Sequence, residues 1–307
     1  MFVRVLGSAA GGGLPQWNCN CLNCAIARHR MSGVKPRTQT SVAVSADGQK
    51  WTLLNASPDV REQIAATPPL QPRSGDVLRV TPIASIVLTS ADVDQVAGLL
   101  SLREGQPFGI YSTARVLAAL ASNPIFNVLD PALVDRIPVQ LDKSFVPDGS
   151  RGLSIEPFAV PGKVALWLEN PQAGPDLGTA EGDIVGLKVS ERTTGLFFYF
   201  IPCCARVDRP LANRISGAPL VLFDGTLFRD DEMIAGGLSN KTGARMGHIS
   251  MSGPEGSLAA LRDLGIGRRI FIHFNNSNPV LRPDSPERAM VEADGWEIAE
   301  DGMEIRL

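Results

Sequence analysis

The sequence predicts an α/β protein: two β-sheets packed together with helices on the outside. Two observations carry this. Short β-branched and apolar runs recur along the 307 residues, each ended by turn residues. Helix-like segments fall between them, so that strands dominate early in each half and helices follow, an order that two sheets with outer helices satisfy. A third observation sets the domain count. The Pro-rich stretch Thr67–Gly75 and the Gly, Pro and Asp-rich stretch Asn170–Asp183 are each followed at once by new strand signals. Neither reads as a linker, and the expectation is one domain over residues 1–307, with Asn170–Asp183 a long exposed loop over a site.

The first expected strand, Phe2–Leu6, runs into the glycines Gly11–Gly13. Ser41–Ser45, Trp51–Asn55 and Ala84–Thr89 follow as strands, with a helix beginning at Ser57-Pro58-Asp59, where Pro occupies the first turn. Asp94–Leu102 and Thr113–Ser122 read as helices. The second half expects strands at Leu153–Val160, Ile184–Val189, Leu196–Ile201, Leu220–Phe223, Arg269–His273 and Glu297–Ala299, and helices at Asp208–Ile215, Pro254–Asp263 and Pro286–Glu292.

Composition narrows the function classes. Apolar residues make up 44% and charged residues 20%, with a net charge of −3, which suits a soluble globular protein without a basic patch for nucleic acid. The opening MFVRVLGSAAGGG holds too short an apolar stretch for a signal peptide, and no run approaches spanning length. A cytoplasmic protein with no membrane partner is expected, and five cysteines, three of them clustered, suit a reduced compartment.

That cluster is Cys19-Asn20-Cys21-Leu22-Asn23-Cys24. Thiolates at this spacing can turn toward one point, as a soft cation such as zinc requires, whereas a disulfide would leave one unpaired. The expected site is structural and closed, pinning the N-terminal loop rather than doing chemistry. Asp92 and Asp94 follow an apolar strand and precede a helix with a close-packing glycine, Gly98. They read equally as a cation site or as an N-cap and a first-turn acid. Asp224 follows an apolar run and precedes Gly225, so it caps a turn or lines the same crevice. Of three histidines, His29 sits in a basic stretch and is assigned to the surface. His248 and His273 lie in Gly-, Ser- and Asn-rich loops suited to presenting a ligand or proton shuttle. The vicinal pair Cys203-Cys204 reads as buried or loop thiols, since bridging them would strain the backbone.

Taken together these segments resemble the pyrroloquinoline quinone (PQQ) biosynthesis B family of the metallo-β-lactamase-like superfamily. The resemblance covers essentially the whole chain, from VLGSAAGGGLPQWNCNCLNC through NASPDVR, GLLSLREGQP and DGTLFRDDEM to RMGHISMSGP, IHFNNSNPVL, SPERA and DGMEI. It implies an αββα sandwich, two mixed sheets flanked by helices, with the active crevice along one edge. It also implies an iron-dependent hydroxylase that oxidises the tyrosine ring of a cross-linked Glu-Tyr intermediate toward a quinone, with O2 as co-substrate and other PQQ biosynthesis proteins as partners. An older family description makes it a carrier that moves PQQ or its precursor to the periplasm. A metal-dependent hydrolase is the further alternative.

Departures from the superfamily sharpen the reading. Hydrolytic relatives carry H-x-H-x-D-H where this chain has Ser90-Ala91-Asp92-Val93-Asp94-Gln95, and their next metal histidine has no counterpart near Pro161-Gly162-Lys163. Asp224 and His273 match the later metal positions, and His248 matches a crevice histidine of related phosphodiesterases. The histidine that completes the cysteine cluster in those relatives is here Asn276. Two imidazoles and three carboxylates (Asp92, Asp94, Asp224, His248, His273) suit one Fe(II) with open positions better than two bridged zincs. His248, Asp94 and Gln95 are the expected catalytic positions. Cys19, Cys21, Cys24 and Asn276 are the expected structural Zn(II) set. Arg103, Lys163 and Arg245 are candidates to hold substrate carboxylates.

Overall fold

The computed structural model describes residues 1–29, 33–73, 75, 77–173 and 178–307. Of the loop expected over Asn170–Asp183, residues 174–177 lie outside the described residues, as does residue 74 of the Pro-rich connector.

Among the described residues thirteen strands form two sheets. The first contains β1 (Phe2–Gly7), β2 (Ser41–Ser45), β3 (Trp51–Leu54), β4 (Ile83–Val87), β5 (Phe108–Ser112), β6 (Val134–Pro138) and β13 (Glu304–Arg306), in the order β13-β1-β2-β3-β4-β5-β6. The second contains β7 (Leu153–Ala159), β8 (Val185–Glu191), β9 (Phe197–Ile201), β10 (Leu220–Asp224), β11 (Arg268–Ile272) and β12 (Trp296–Ile298), in the order β12-β11-β10-β9-β8-β7. Both sheets are mixed. Pairing is antiparallel from β13 to β3 and parallel from β3 to β6. In the other sheet it is antiparallel from β7 to β9 and parallel from β9 to β12.

Alternation along the strands divides the core. Val42 and Val44 join Leu54, Val87, Ile155, Phe158, Leu187, Phe198 and Phe200 in a cluster that takes side chains from both sheets. Their neighbour Ala43, with Leu53 and Ile86, faces the other way. There the helices Val60–Ala65 and Ala114–Ala121 cover the first sheet with Val60, Val116, Leu117 and Leu120. Leu211, Ile215, Leu258, Leu261 and Val291, from helices Arg209–Ile215, Ser257–Leu261 and Pro286–Ala293, join the cluster that holds the second sheet. Burial on both faces explains why strands such as Leu220–Asp224 are continuous apolar runs. The result is the αββα sandwich.

Three strands go beyond the expected set: Phe108–Ser112, Val134–Pro138 and Glu304–Arg306. The last two are sheet edges, where charged residues and a terminal proline suppress the apolar pattern. The helix expected over Asp94–Leu102 is one α-turn, Val93–Val96, continued as a 3-10 helix, Ala97–Leu102. Gly98 sits in the latter because a Cβ there would lie 2.1 Å from the Ser57 carbonyl oxygen. Among the described residues no helix is long and apolar enough to cross a membrane.

Candidate functional site

Strands β3, β4, β9, β10 and β11 all end at one edge of the sandwich, where open α/β sheets place their ligands. The chemistry-bearing residues are those that follow each strand: Asn55 after β3, Ser90–Gln95 after β4, Cys203 after β9, Asp224 closing β10 and His273 after β11. The two sheets are joined at this edge by hydrogen bonds from Val185 N–H to the Thr89 carbonyl (2.9 Å) and from Ala10 N–H to the Phe274 carbonyl (2.7 Å). Together they enclose a crevice of about 340 Å³ lined by Asp92, Asp94, Gln95, Lys163, Cys203, Thr226, Lys241, His248 and His273, among others.

Two imidazoles form its centre. His248 and His273 stack with ring centroids 5.3 Å apart and planes 27° from parallel. His248 Nδ1 lies 2.7 Å from Asp224 Oδ2, so the ring donates there and turns Nε2 to the crevice. His273 Nδ1 lies 2.9 Å from the Thr226 hydroxyl, which itself donates to Asp224 Oδ1 at 2.6 Å. With its proton committed, that hydroxyl accepts from Nδ1, and His273 Nε2 faces Asp94 Oδ2 at 3.0 Å. His273 holds φ +66, the left-handed region that residues with a Cβ rarely adopt, at the turn that ends β11.

The carboxylates divide by role. Asp224 is fully buried and accepts four hydrogen bonds, from Cys204 N–H, Thr226 N–H, the Thr226 hydroxyl and His248. It does not line the crevice, and it stands behind His248 as an orienting group. Asp92 occupies the N-cap position of Val93–Val96, yet its side chain makes no capping bond. Instead it accepts from Ser90 Oγ (3.1 Å) and from Leu166 N–H (3.3 Å) and faces the crevice. The capping alternative for Asp92 is therefore set aside.

Charge is concentrated here. Burial, then repulsion from Asp94, raises the Asp92 carboxyl above its usual range. Burial opposes the charge of Asp94, but the bond and charge of His273, and then His248, hold it low. Burial likewise opposes charge on His248, and Asp224, followed by Asp92 and Asp94, outweighs it and pulls the imidazole up. A net acidic pocket of this kind attracts a cation.

Cys203 is a candidate donor that the sequence reading leaves among buried or loop thiols. Its Sγ and the ring nitrogens of His248 and His273 lie within 4.8 Å of one another, close enough to share one ion. Gln95, expected to be catalytic, is 1% exposed and spends its amide on this arrangement. Its Oε1 accepts from Thr89 and Ser90 hydroxyls, and its Nε2 lies 3.1 Å from Cys203 Sγ. It positions Cys203 rather than reaching the crevice with a free group. Burial and the three nearby aspartates push the Cys203 thiol well above its ordinary range. Cys203 and Cys204 are not bridged. The signal that finds Cys203 is its place just past Pro202 at the end of an apolar strand, at the same sheet edge where His273 follows its own strand.

The three cation candidates separate. Lys163 lines the crevice and pairs with Glu169. Arg245 reaches the same carboxylate at 2.9 Å. Arg103 does not line the crevice: it closes the 3-10 helix, donates to the Leu100 carbonyl at 2.7 Å and pairs with Glu104. It is removed from the substrate-binding set.

The cysteine loop is a second donor cluster. Cys19, Cys21 and Cys24 bring their sulfurs within 4.8 Å of one another, and the Asn276 side-chain amide faces all three at 3.1, 3.6 and 3.2 Å. Asn23 donates to the carbonyls of Asn276 (2.9 Å) and Asn278 (2.8 Å), tying the loop to the segment that follows His273. Three converging thiols fit a soft ion, while the Asn276 Nδ2 that faces them is a hydrogen-bond donor to the sulfurs and offers no ligand atom in this orientation.

Residues 50–274 match the beta-lactamase superfamily domain family. Coenzyme PQQ synthesis protein B of Bradyrhizobium diazoefficiens is 53% identical over 309 residues, 99% of each chain. The protein of the same name from Rhodopseudomonas palustris is 53% identical over 313 residues, the full length of both. The crystal structure of zinc-bound PqqB from Methylobacterium extorquens superimposes with a TM-score of 0.95 at 52% identity, covering both chains fully. A diphosphatase of the PhnP family, 18% identical and covering 99% of this chain and 96% of its own, shares the fold with a TM-score of 0.70.

Proposed function

We infer the reaction from one premise: this chain belongs to the coenzyme PQQ synthesis protein B family, within the beta-lactamase superfamily. Its place is therefore in PQQ biosynthesis, on a fold that houses metal-dependent enzymes. Beyond that, we propose that it hydroxylates the tyrosine ring of a cross-linked Glu-Tyr intermediate, with Fe(II) in the crevice and O2 as co-substrate.

The observation that carries this reading is a donor set sized for one ion. His248 and His273 both have Nδ1 occupied by an orienting partner, and Asp94 Oδ2 stands 3.0 Å from His273 Nε2. Two ligands about 2.1 Å from a common ion and at right angles to each other are separated by about that distance. Two imidazoles and a carboxylate make the donor pattern of oxygen-activating Fe(II) sites. His273 and His248 would hold the ion together with Cys203, whose sulfur lies within 4.8 Å of both imidazoles, and Asp94, which faces His273 Nε2, would supply the carboxylate. Bound there, Fe(II) supplies the activation of O2 that ring hydroxylation needs.

The chain's own residues do the rest. Thr226 and Asp224 keep both imidazoles in one tautomer and one orientation. Lys163 offers a cation to the carboxylates of the intermediate. Asp92 faces the crevice with a carboxylate oxygen able to take the proton that the ring loses. One oxygen atom of O2 goes to the ring and the other to water, so two electrons enter from an external reductant.

The test is a staged reaction. The cross-linked Glu-Tyr compound is given to the protein without oxygen, then Fe(II) is added, then air, and products are followed by mass. Gain of one oxygen only after air is the expected result. Cleavage before air, or tight binding with no conversion at any stage, overturns the proposal.

A further inference from the structure

We propose that Lys163 and Arg245 form a carboxylate-binding site at the rim of the crevice, which Glu169 fills in the unliganded chain and a carboxylate of the substrate takes over. This rests on the reading that the crevice handles an amino-acid-derived phenol, and it adds where and how that molecule is gripped.

One carboxylate holds two cations here. Glu169 Oε1 pairs with Lys163 Nζ, and Glu169 Oε2 accepts from Arg245 Nη2 at 2.9 Å. The Glu169 side chain is 10% exposed and that of Lys163 16%, so this pair is sheltered, whereas Arg245 at 42% is screened by solvent. Arg245 holds Glu169 low first, with Lys163 adding to it against the cost of burial. The site is also placed by the backbone. Gly247 has φ +87, and a Cβ on it would lie 2.8 Å from Lys163 Cβ, so the Lys163 backbone is packed against the residue that precedes His248. A ligand carboxylate on Lys163 would leave the rest of the ligand beside the two imidazoles.

Glu169 rides on a short strap rather than on the sheet. Leu166–Leu168 form a single 3-10 turn. Its anchors to the crevice are two hydrogen bonds, from Leu166 N–H to Asp92 Oδ1 (3.3 Å) and from Trp167 Nε1–H to the Ala91 carbonyl (3.0 Å). The strap carries two exposed apolar side chains, Leu166 at 60% and Trp167 at 40%, and Leu166 lines the crevice. An apolar face next to an anion site matches a ligand that has an aromatic ring and a carboxylate. A ligand that arrives with its own carboxylate can exchange with Glu169 without leaving either cation unpaired.

Calorimetric titration tests this on the full-length, metal-loaded chain kept without oxygen, so that nothing turns over. The probes are the cross-linked Glu-Tyr compound and the same compound with its carboxylates converted to amides. Glu169→Gln removes the internal competitor and should tighten the acid by about tenfold, the worth of one charge-assisted hydrogen bond. Lys163→Met and Arg245→Met should weaken it by a similar factor, and the amide should respond to none of the three. A Glu169→Gln chain that is folded by circular dichroism and binds the acid no better than the parent overturns the proposal. Should that variant not fold, unchanged affinity in both Lys163→Met and Arg245→Met overturns it equally. Binding of the acid without this pattern leaves the proposed reaction standing. Failure of both probes to bind every variant, the parent included, sinks both.

Discussion

The cysteine loop and the crevice are both clusters of metal donors, but they are assembled in opposite ways. Cys19, Cys21 and Cys24 converge through a local turn, with Asn276 from elsewhere donating hydrogen bonds to their sulfurs. The crevice draws Asp94 and His273 to 3.0 Å from positions 179 residues apart, and it needs the ends of strands from both sheets to do so. A local cluster brings its own geometry and can give stability to the fold. A dispersed cluster borrows its geometry from the fold and can be tuned by distant residues. The first suits a structural ion and the second a reactive one.

The sharpest way to break this comparison is to remove one donor from each side. His273→Ala should lower turnover by more than about 100-fold, beyond the cost of losing a supporting hydrogen bond, while the melting curve stays cooperative. Metal analysis should find the crevice ion lost and the cysteine ion kept; loss of both would mean that the two centres are not separate. Cys21→Ser should do the reverse. Zinc content falls, and the melting temperature drops by about 5 °C or more, because binding to a closed site is folding free energy. Iron lost while zinc stays would show the two centres to be exchanged. Thr226→Val acts one step back from the ion. It frees His273 Nδ1 from its hydroxyl partner, and crevice metal affinity should fall by about 10- to 100-fold in a competition titration, with the cysteine ion unaffected.

The same contrast explains how far the sequence could be read. The cysteine loop is legible because spacing alone brings its donors together. Leu220–Asp224 is legible as a strand because burial on both faces leaves no polar interruption. Val134–Pro138 is not, since charged Asp135 and Arg136 interrupt an edge strand that buries only Val134, and Glu304–Arg306 shows only Ile305 to the core. Asp92 stays ambiguous in sequence because an N-cap and a crevice ligand occupy the same place after a strand, and only the missing capping bond separates them. Cys203 is hidden for another reason: Gln95, its partner, lies 108 residues away, and a vicinal thiol pair with no visible partner reads as packing. Arg103 fails because a positive charge near a motif says nothing of which face its helix presents.

The smallest expected effect concerns the rim, where the crevice meets solvent and the cysteine loop has no counterpart. Glu169 is held at about 2, first by Arg245 and then, against burial, by Lys163, below the ordinary glutamate value of 4.5. A carboxyl with a depressed folded value contributes stability that is complete above its unfolded value. That stability is lost as pH falls from about 4.5 toward about 2, because the unfolded chain takes up the proton first. The contribution is modest, since the Arg245 side chain is 42% exposed and well screened. Glu169→Gln removes only this part. The difference in melting temperature between the parent chain and the variant should be largest near neutral pH and should close as pH approaches about 2. A difference that stays constant across that window would mean that Glu169 holds the strap by shape. The two cations would then be free of the role assigned to them, and the dispersed centre would extend no further than its strand ends.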